Sequence, residues 1–355
     1  MQKSEIQKEG KVSFTQKRLK FKNILTFMSP ILAVLCAFII AGFVVIISGG
    51  DPIDAYSNLF KGAFGSIAGL QNTIRYTLPI ILLAFSFSIC NLCGYFNIGQ
   101  DGQIIAASLA VVWITVLFPK ASTNTQLIIM ICTAALVGGI TSLIPALFKI
   151  WMGINEVIIA ILMNFILALL SSYQTVYSAI ANTNASNPMT VVIQPRIEPV
   201  ITIMAVIIIV IGYSLSLQKT VPGFQLRMVG KNSRFAQISG INSSRVIISA
   251  ALIGGALSGL VAAGEILGVY HILYDGYAAG MGNNGIIAGL IGQNTPIGMI
   301  LSSLVLGSLQ SGSVLLSVNT NVPIQIIQVV QGFVMLFATI NFVTLLIRPR
   351  LRRNA

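Results

Sequence analysis

A helix needs about twenty consecutive apolar residues to cross the hydrocarbon core of a bilayer, and runs of that kind recur along this 355-residue chain. They fall at 31–48, 77–95, 104–118, 126–151, 156–177, 200–217, 246–269, 297–309 and 323–347, with a shorter piece at 285–291. The expectation is an all-α integral membrane protein of about ten transmembrane helices, some broken or re-entrant where polar backbone is buried in protein. Only 8% of residues are charged and 55% are hydrophobic, whereas a soluble domain carries about a quarter charged residues. A soluble core would need a polar shell that this composition lacks. A disordered chain would be charged and poor in aliphatic residues.

The net charge of +12 is concentrated in three places. Lys3, Lys8, Lys11, Lys17, Arg18, Lys20 and Lys22 precede the first apolar run, and Arg348, Arg350, Arg352 and Arg353 follow the last. Lys219, Arg227, Lys231, Arg234 and Arg245 share one long polar loop, 218–245. Basic residues beside spans mark the cytoplasmic side. Counting from a cytoplasmic N-terminus puts 218–245 inside after six spans, and the Arg-rich end returns inside if four more follow, 285–291 among them. The loops at 49–76 and 178–199 then lie outside, with sparse and mixed charge. The expected division is a basic cytoplasmic segment at 1–26, a transmembrane domain at 27–348 and a basic cytoplasmic tail at 349–355. No basic stripe interleaved with aromatics occurs, which argues against nucleic acid as a partner.

Cys36, Cys90, Cys93 and Cys132 all lie in apolar runs, so Cys90-x-x-Cys93 reads as a pair of small packing residues rather than a redox motif. The charged N-terminal stretch is long and the apolar segment after it continues far enough to span, unlike a signal peptide. No G-x-x-x-x-G-K-[ST] occurs, so an ATPase driving this chain would be a separate subunit. A single His271 makes no metal site, and nothing resembling a catalytic triad or carboxylate pair supports an enzyme.

Three polar clusters interrupt the apolar background. Gly94-Tyr-Phe-Asn-Ile-Gly-Gln-Asp-Gly-Gln103 lies between the second and third spans. It reads either as a re-entrant turn facing a water-filled pathway, with Asp101 as its ionisable group, or as a plain cytoplasmic turn. In Gly153-Ile-Asn-Glu-Val157, Asn155 reads as a helix N-cap with Glu156 in the first turn, while Asn164 within the same span needs a partner. Tyr274-Asp-Gly-Tyr-Ala-Ala-Gly-Met-Gly-Asn-Asn-Gly285 contains a G-x-G-x-x-G. That pattern binds dinucleotides only after a strand, and here it fits a bend between broken helices. Gly255-x-x-x-Gly259 fits a helix–helix contact.

These residues resemble the permeases of ATP-binding-cassette importers for simple sugars, nucleosides and branched-chain amino acids. Phe96-Asn-Ile-Gly-Gln-Asp-Gly-Gln103 is similar to the family's F-N-I-G-x-E-G-Q, with Asp101 in the place of Glu. Asn155-Glu-Val157 with Met163-Asn164 resembles its N-E-V-I…M-N segment. Leu226-Arg-Met-Val-Gly-Lys-Asn232 with Ser239-Gly-Ile-Asn242 resembles L-R-A-V-G-x-N-P…A-G-I-N, with Ser233 in the place of Pro. The run Gly280 to Pro296 matches the G-x-G-x-x-G-I-A-V-A-L-L-G-x-N-x-P block. The E-A-A…G loop of the other large importer class is missing, which favours the ten-helix type. Within the family the resemblance is nearest to nucleoside permeases.

The resemblance implies a bacterial plasma-membrane protein with both termini cytoplasmic. It implies a second permease chain in a heterodimer, a cytoplasmic ATPase that binds the ATP, and an extracellular binding lipoprotein. No cofactor is expected in this chain. Phe96, Asn97, Gln100, Asp101, Gln103, Asn155 and Asn164 are the expected pathway residues, an amide-rich set suited to a neutral solute. Arg227, Met228, Val229, Gly230, Asn232, Phe235 and Gly240 are the expected ATPase-coupling residues, because the loop carries apolar side chains suited to a partner's groove. A sugar permease is the alternative within the family. An ion-driven transporter would use Asp101, Glu156, Glu265 or Asp275, and a structural membrane protein would carry no substrate.

Overall fold

The computed structural model describes residues 50–319 except 184 and 186, with a few helical residues between 35 and 47 and between 328 and 333. Of the expected first span only eight residues are described and of the last only four, and both basic termini lie outside the described residues. Among the described residues the regular elements are helices: α1 (Pro52–Phe64), α2 (Ile67–Leu92), α3 (Gln100–Leu117), α4 (Thr123–Met152), α5 (Glu156–Tyr177), α6 (Pro199–Lys219), α7 (Val221–Lys231), α8 (Ser233–Ile238), α9 (Ser243–Glu265, continued as a π-helix over Ile266–Tyr270), α10 (Met281–Ile291) and α11 (Pro296–Asn319). Seven of these, α2 to α6, α9 with its π-helical end, and α11, are long and apolar enough to cross a membrane.

One expectation is overturned. Residues 49–76 are not a loop: α1 occupies much of them, and α2 begins at Ile67, ten residues before the apolar run. Ser66 caps α2 by accepting from the Gly69 N–H at 3.0 Å, and the polar first turns carry Gln71, Asn72 and Arg75. A cap and helical backbone do not depend on hydropathy, so an apolar count starts the helix too late.

Residues 63–311 form one compact unit, and 1–62 with 312–355 form another. In the first, α9 packs along α4 and α2, with α3 beside α4. The Gly255-x-x-x-Gly259 pair makes the α9–α4 contact. A Cβ added at Gly255 would lie 2.3 Å from the Gly138 carbonyl oxygen, and one at Gly259 2.0 Å from that of Ala134. Only bare backbone permits this approach, and close dispersion contact holds helices together where lipid removes the hydrophobic drive. Ile158, Leu162, Phe165 and Leu169 on α5, and Ile201, Met204, Ile208 and Ile211 on α6, are exposed at helical spacing, as on a lipid-facing side. The segment between α5 and α6 is pinned to the residues around the end of α9: Thr190 N–H donates to the Leu273 carbonyl at 2.9 Å, and Ile193 N–H to that of His271 at 2.8 Å. In the second unit Gly312 of α11 packs on the Leu59 backbone of α1, and Asn319 donates to Asn58 at 3.1 Å.

Candidate functional site

The α2–α3 connection turns where its sequence demands. Gly94 takes φ +78°, a left-handed conformation open to glycine at little cost. Asn97 then accepts from the Gly99 N–H at 3.1 Å, closing a local turn just before α3. Asn97 is fully buried and also accepts from Gln103 Nε2 at 2.9 Å, while Gln100, equally buried, donates to the Leu83 carbonyl of α2 at 2.7 Å.

The unsatisfied N-terminal ends of two helices, α3 and α10, meet side chains at this turn, and α5 joins them through Asn164. The first N–H groups of a helix have no internal acceptor. Gly102 N–H, in the first turn of α3, donates to Asn164 Oδ1 of α5 at 2.9 Å, and Asn164 Nδ2 donates to the Ile98 carbonyl at 3.1 Å. Gly282 N–H, in the first turn of α10, donates to the Asp101 carboxylate at 2.6 Å. Asp101 thus stands at the positive ends of two helices, its own and α10. A Cβ on Gly282 would lie 2.8 Å from Gln100 Cβ and 2.9 Å from the Asp101 N, so α10 reaches the carboxylate only because that position is glycine.

The structure therefore brings Asn97, Gln100, Asp101, Gln103 and Asn164 together as one hydrogen-bonded knot. Phe96 packs edge-on to Phe87 at 5.1 Å. Asn155 stands apart from the knot as the expected N-cap, accepting from the Val157 N–H at 2.9 Å. Sequence reasoning missed Lys149 and Gly282. Lys149 donates to the Gly94 carbonyl and pairs with Glu156, both at 2.6 Å, and Glu156 accepts from the Phe96 N–H at 3.1 Å. The signal was the left-handed Gly153 cap between Lys149 and Glu156, which folds the α4–α5 turn back and brings the two together. Among the described residues no group of histidine, cysteine and carboxylate side chains would hold a metal ion.

A family of permease components of the branched-chain amino acid transport system matches residues 69–339, most of the chain. The chain belongs to that family. The permease is 28% identical to a guanosine ABC transporter permease of Bacillus subtilis, over 94% of this chain and 99% of that one. It is 26% identical to a nucleoside ABC transporter permease of Lactococcus lactis, over 90% and 93%, and 27% identical to a glucose ABC transporter permease of Haloferax volcanii, over 88% and 87%. No solved structure shows significant similarity to it. It is a multi-pass membrane permease of an ABC transporter, and its family implies an ATPase partner.

The permease's 218–245 loop folds as α7 and α8. Thr220 caps α7, accepting from the Gly223 N–H at 3.4 Å, and Asn232 caps α8, accepting from the Phe235 N–H at 3.0 Å. Arg227 is bonded to the Leu217 carbonyl. Val229 is buried within the permease, and Met228 is half-buried. Phe224, Phe235 and Ile238 are exposed instead. Gly230 lies against Leu92 and Cys93 at the end of α2, directly before the knot, and Gly240 takes φ +82° in the turn after α8.

Proposed function

We propose that this permease carries nucleosides across the plasma membrane on energy from a separate ATPase. The observation that carries this reading is that two nucleoside-permease relatives align over nearly the full length of both chains. The fold is the ten-helix importer type, with both termini cytoplasmic and the regions 1–26, 27–348 and 349–355 arranged as the charge pattern requires. A second permease chain completes the pathway as a heterodimer, and an extracellular lipoprotein delivers the solute. The half-buried edge of the knot, Phe96, Asp101 and Asn164, borders that pathway, and the fully buried amides hold it in shape. The ATPase docks on the exposed apolar side of α7 and α8, and Gly230 passes its movement to the end of α2.

Cells lacking this chain should lose ATP-dependent uptake of labelled guanosine and adenosine, and the intact gene should restore it. The glucose-permease relative supports a second reading, a simple-sugar permease. Loss of glucose or ribose uptake with nucleoside uptake intact would establish that reading instead. Uptake that survives ATP depletion but collapses with the proton gradient would overturn both.

A further inference from the structure

Away from the knot, a cavity of about 720 Å³ opens between α2, α6 and the end of α9. Its walls are largely aliphatic, with Leu78, Leu82, Ile203 and Val261 among them. Two opposite charges also line it: Glu265, the last residue of α9, and Arg75 of α2. Glu265 is only 7% exposed. No ion pair within 4.0 Å joins the two, the pair found among the described residues being Lys149–Glu156. The Arg75 guanidinium instead lies 5.1 Å from the Tyr76 ring and 5.6 Å from the Tyr270 ring. Just after Glu265 the helix widens into its π-helical end, which carries Gly268 and Tyr270 on the cavity wall. Such π-helical turns often accompany functional sites.

A charge buried among aliphatic groups is costly unless something pairs with it, and ionisable groups within a membrane span point to function. Opposite charges would ordinarily close into an ion pair. Lining one cavity without a direct ion pair, they suit a molecule that donates to the carboxylate and accepts from the guanidinium. A sugar offers hydroxyls but no flat apolar face. A guanine-type base offers adjacent N–H groups on one edge, and the O6 and N7 acceptors that arginine ordinarily grips bidentately on the next. Its faces fit between a tyrosine ring and aliphatic walls. We propose that this cavity is a recognition site of the transport route, and that it takes a purine nucleoside whose N–H edge meets Glu265 and whose acceptor edge meets Arg75. The proposal rests on the nucleoside reading above and assigns the site and the edge chemistry within it.

The full-length chain in lipid nanodiscs should bind tritiated guanosine more tightly than adenosine, and ribose least. Glu265→Gln and Arg75→Gln should each weaken guanosine binding about tenfold or more and shrink its advantage over adenosine. Gly264→Leu provides a test independent of charge. A Cβ there would meet only Thr202 Cγ2, at 3.7 Å, so the backbone accepts a side chain at this cavity wall, and a leucine filling the cavity should abolish binding. Guanosine should also protect Gly264→Cys from a small aqueous thiol reagent. Unchanged guanosine affinity in all three binding variants, each monodisperse and with a wild-type unfolding midpoint, would overturn the site while nucleoside uptake by cells kept the transport reading intact. Guanosine binding that responds as expected, in cells with no nucleoside uptake, would overturn the transport reading and keep the site. A phospholipid that co-purifies with the wild type and is lost in Arg75→Gln, with guanosine affinity unchanged, would assign the cavity to lipid and also overturn the proposal.

Discussion

The knot at the start of α3 and the cavity beside Glu265 are polar regions of the same helical unit, and they treat their polar groups in opposite ways. In the knot, Asn97, Gln103, Asp101 and Asn164 each bond to backbone or to one another, and the Gln100 amide donates to Leu83. One acceptor, Gln100 Oε1, is buried without a partner. In the cavity, a carboxylate and a guanidinium face each other's space without pairing. Internal satisfaction makes a rigid joint between broken helices, because each bond removed would leave a buried group unpaired. Opposite charges left without a direct ion pair make a place for something else. The same residue classes serve as scaffold or as receptor according to where their bonds go.

The comparison predicts that the knot fails structurally and the cavity does not. The largest effect is expected for Gly282→Val, whose Cβ would strike Gln100 and Asp101. Overpacking and loss of the α10 tie together should cost about 3 kcal/mol, read as a lowered unfolding midpoint and loss of monodisperse protein in detergent. A variant that folds as wild type would mean that α10 does not need Asp101. Asn164→Leu comes next, at about 2 kcal/mol, because it strands the Gly102 N–H and the Ile98 carbonyl.

Lys149→Met removes the partner of Glu156, whose side chain is 12% exposed against 27% for the lysine. The loss should be about 1–2 kcal/mol, between the surface and buried limits for ion pairs, and a double mutant with Glu156→Gln should recover part of it. At the cavity, Glu265→Gln should leave stability unchanged or raise it, since no hydrogen bond or ion pair is broken and a buried charge is removed. A loss as large as that of Asn164→Leu would show that Glu265 is part of the scaffold. The smallest effect on stability is expected for Ile238→Asp, at a side chain 86% exposed, within about 0.5 kcal/mol of wild type. It should still uncouple ATP hydrolysis from uptake, and normal transport with the ATPase bound would remove α8 from the docking surface.

Much of this is legible in the sequence. Apolar run length predicts α4, α5 and α6 to within a few residues, because a span must be continuous in sequence to satisfy its backbone in lipid. The Asn155 cap and the Gly255–Gly259 contact were equally readable, since a cap and a small-xxx-small stripe are local patterns. The start of α2 was not, because its first turns are polar. Met228 and Val229 looked available in the loop, but the side of α7 that carries Val229 turns inward, which a loop sequence cannot reveal.

The sequence alone determined that the chain is a helical membrane protein, where most spans lie, and that polar glycine-rich segments break them, since each property is written in consecutive residues. Only the tertiary structure decided that Asp101 meets Gly282, 181 positions away, and that Arg75 and Glu265 share a cavity without an ion pair. These pairings depend on which helix faces which and at what separation. A composition or a period carries no record of that, because hydrogen bonds and charge pairs act over a few ångströms between atoms that folding alone brings near.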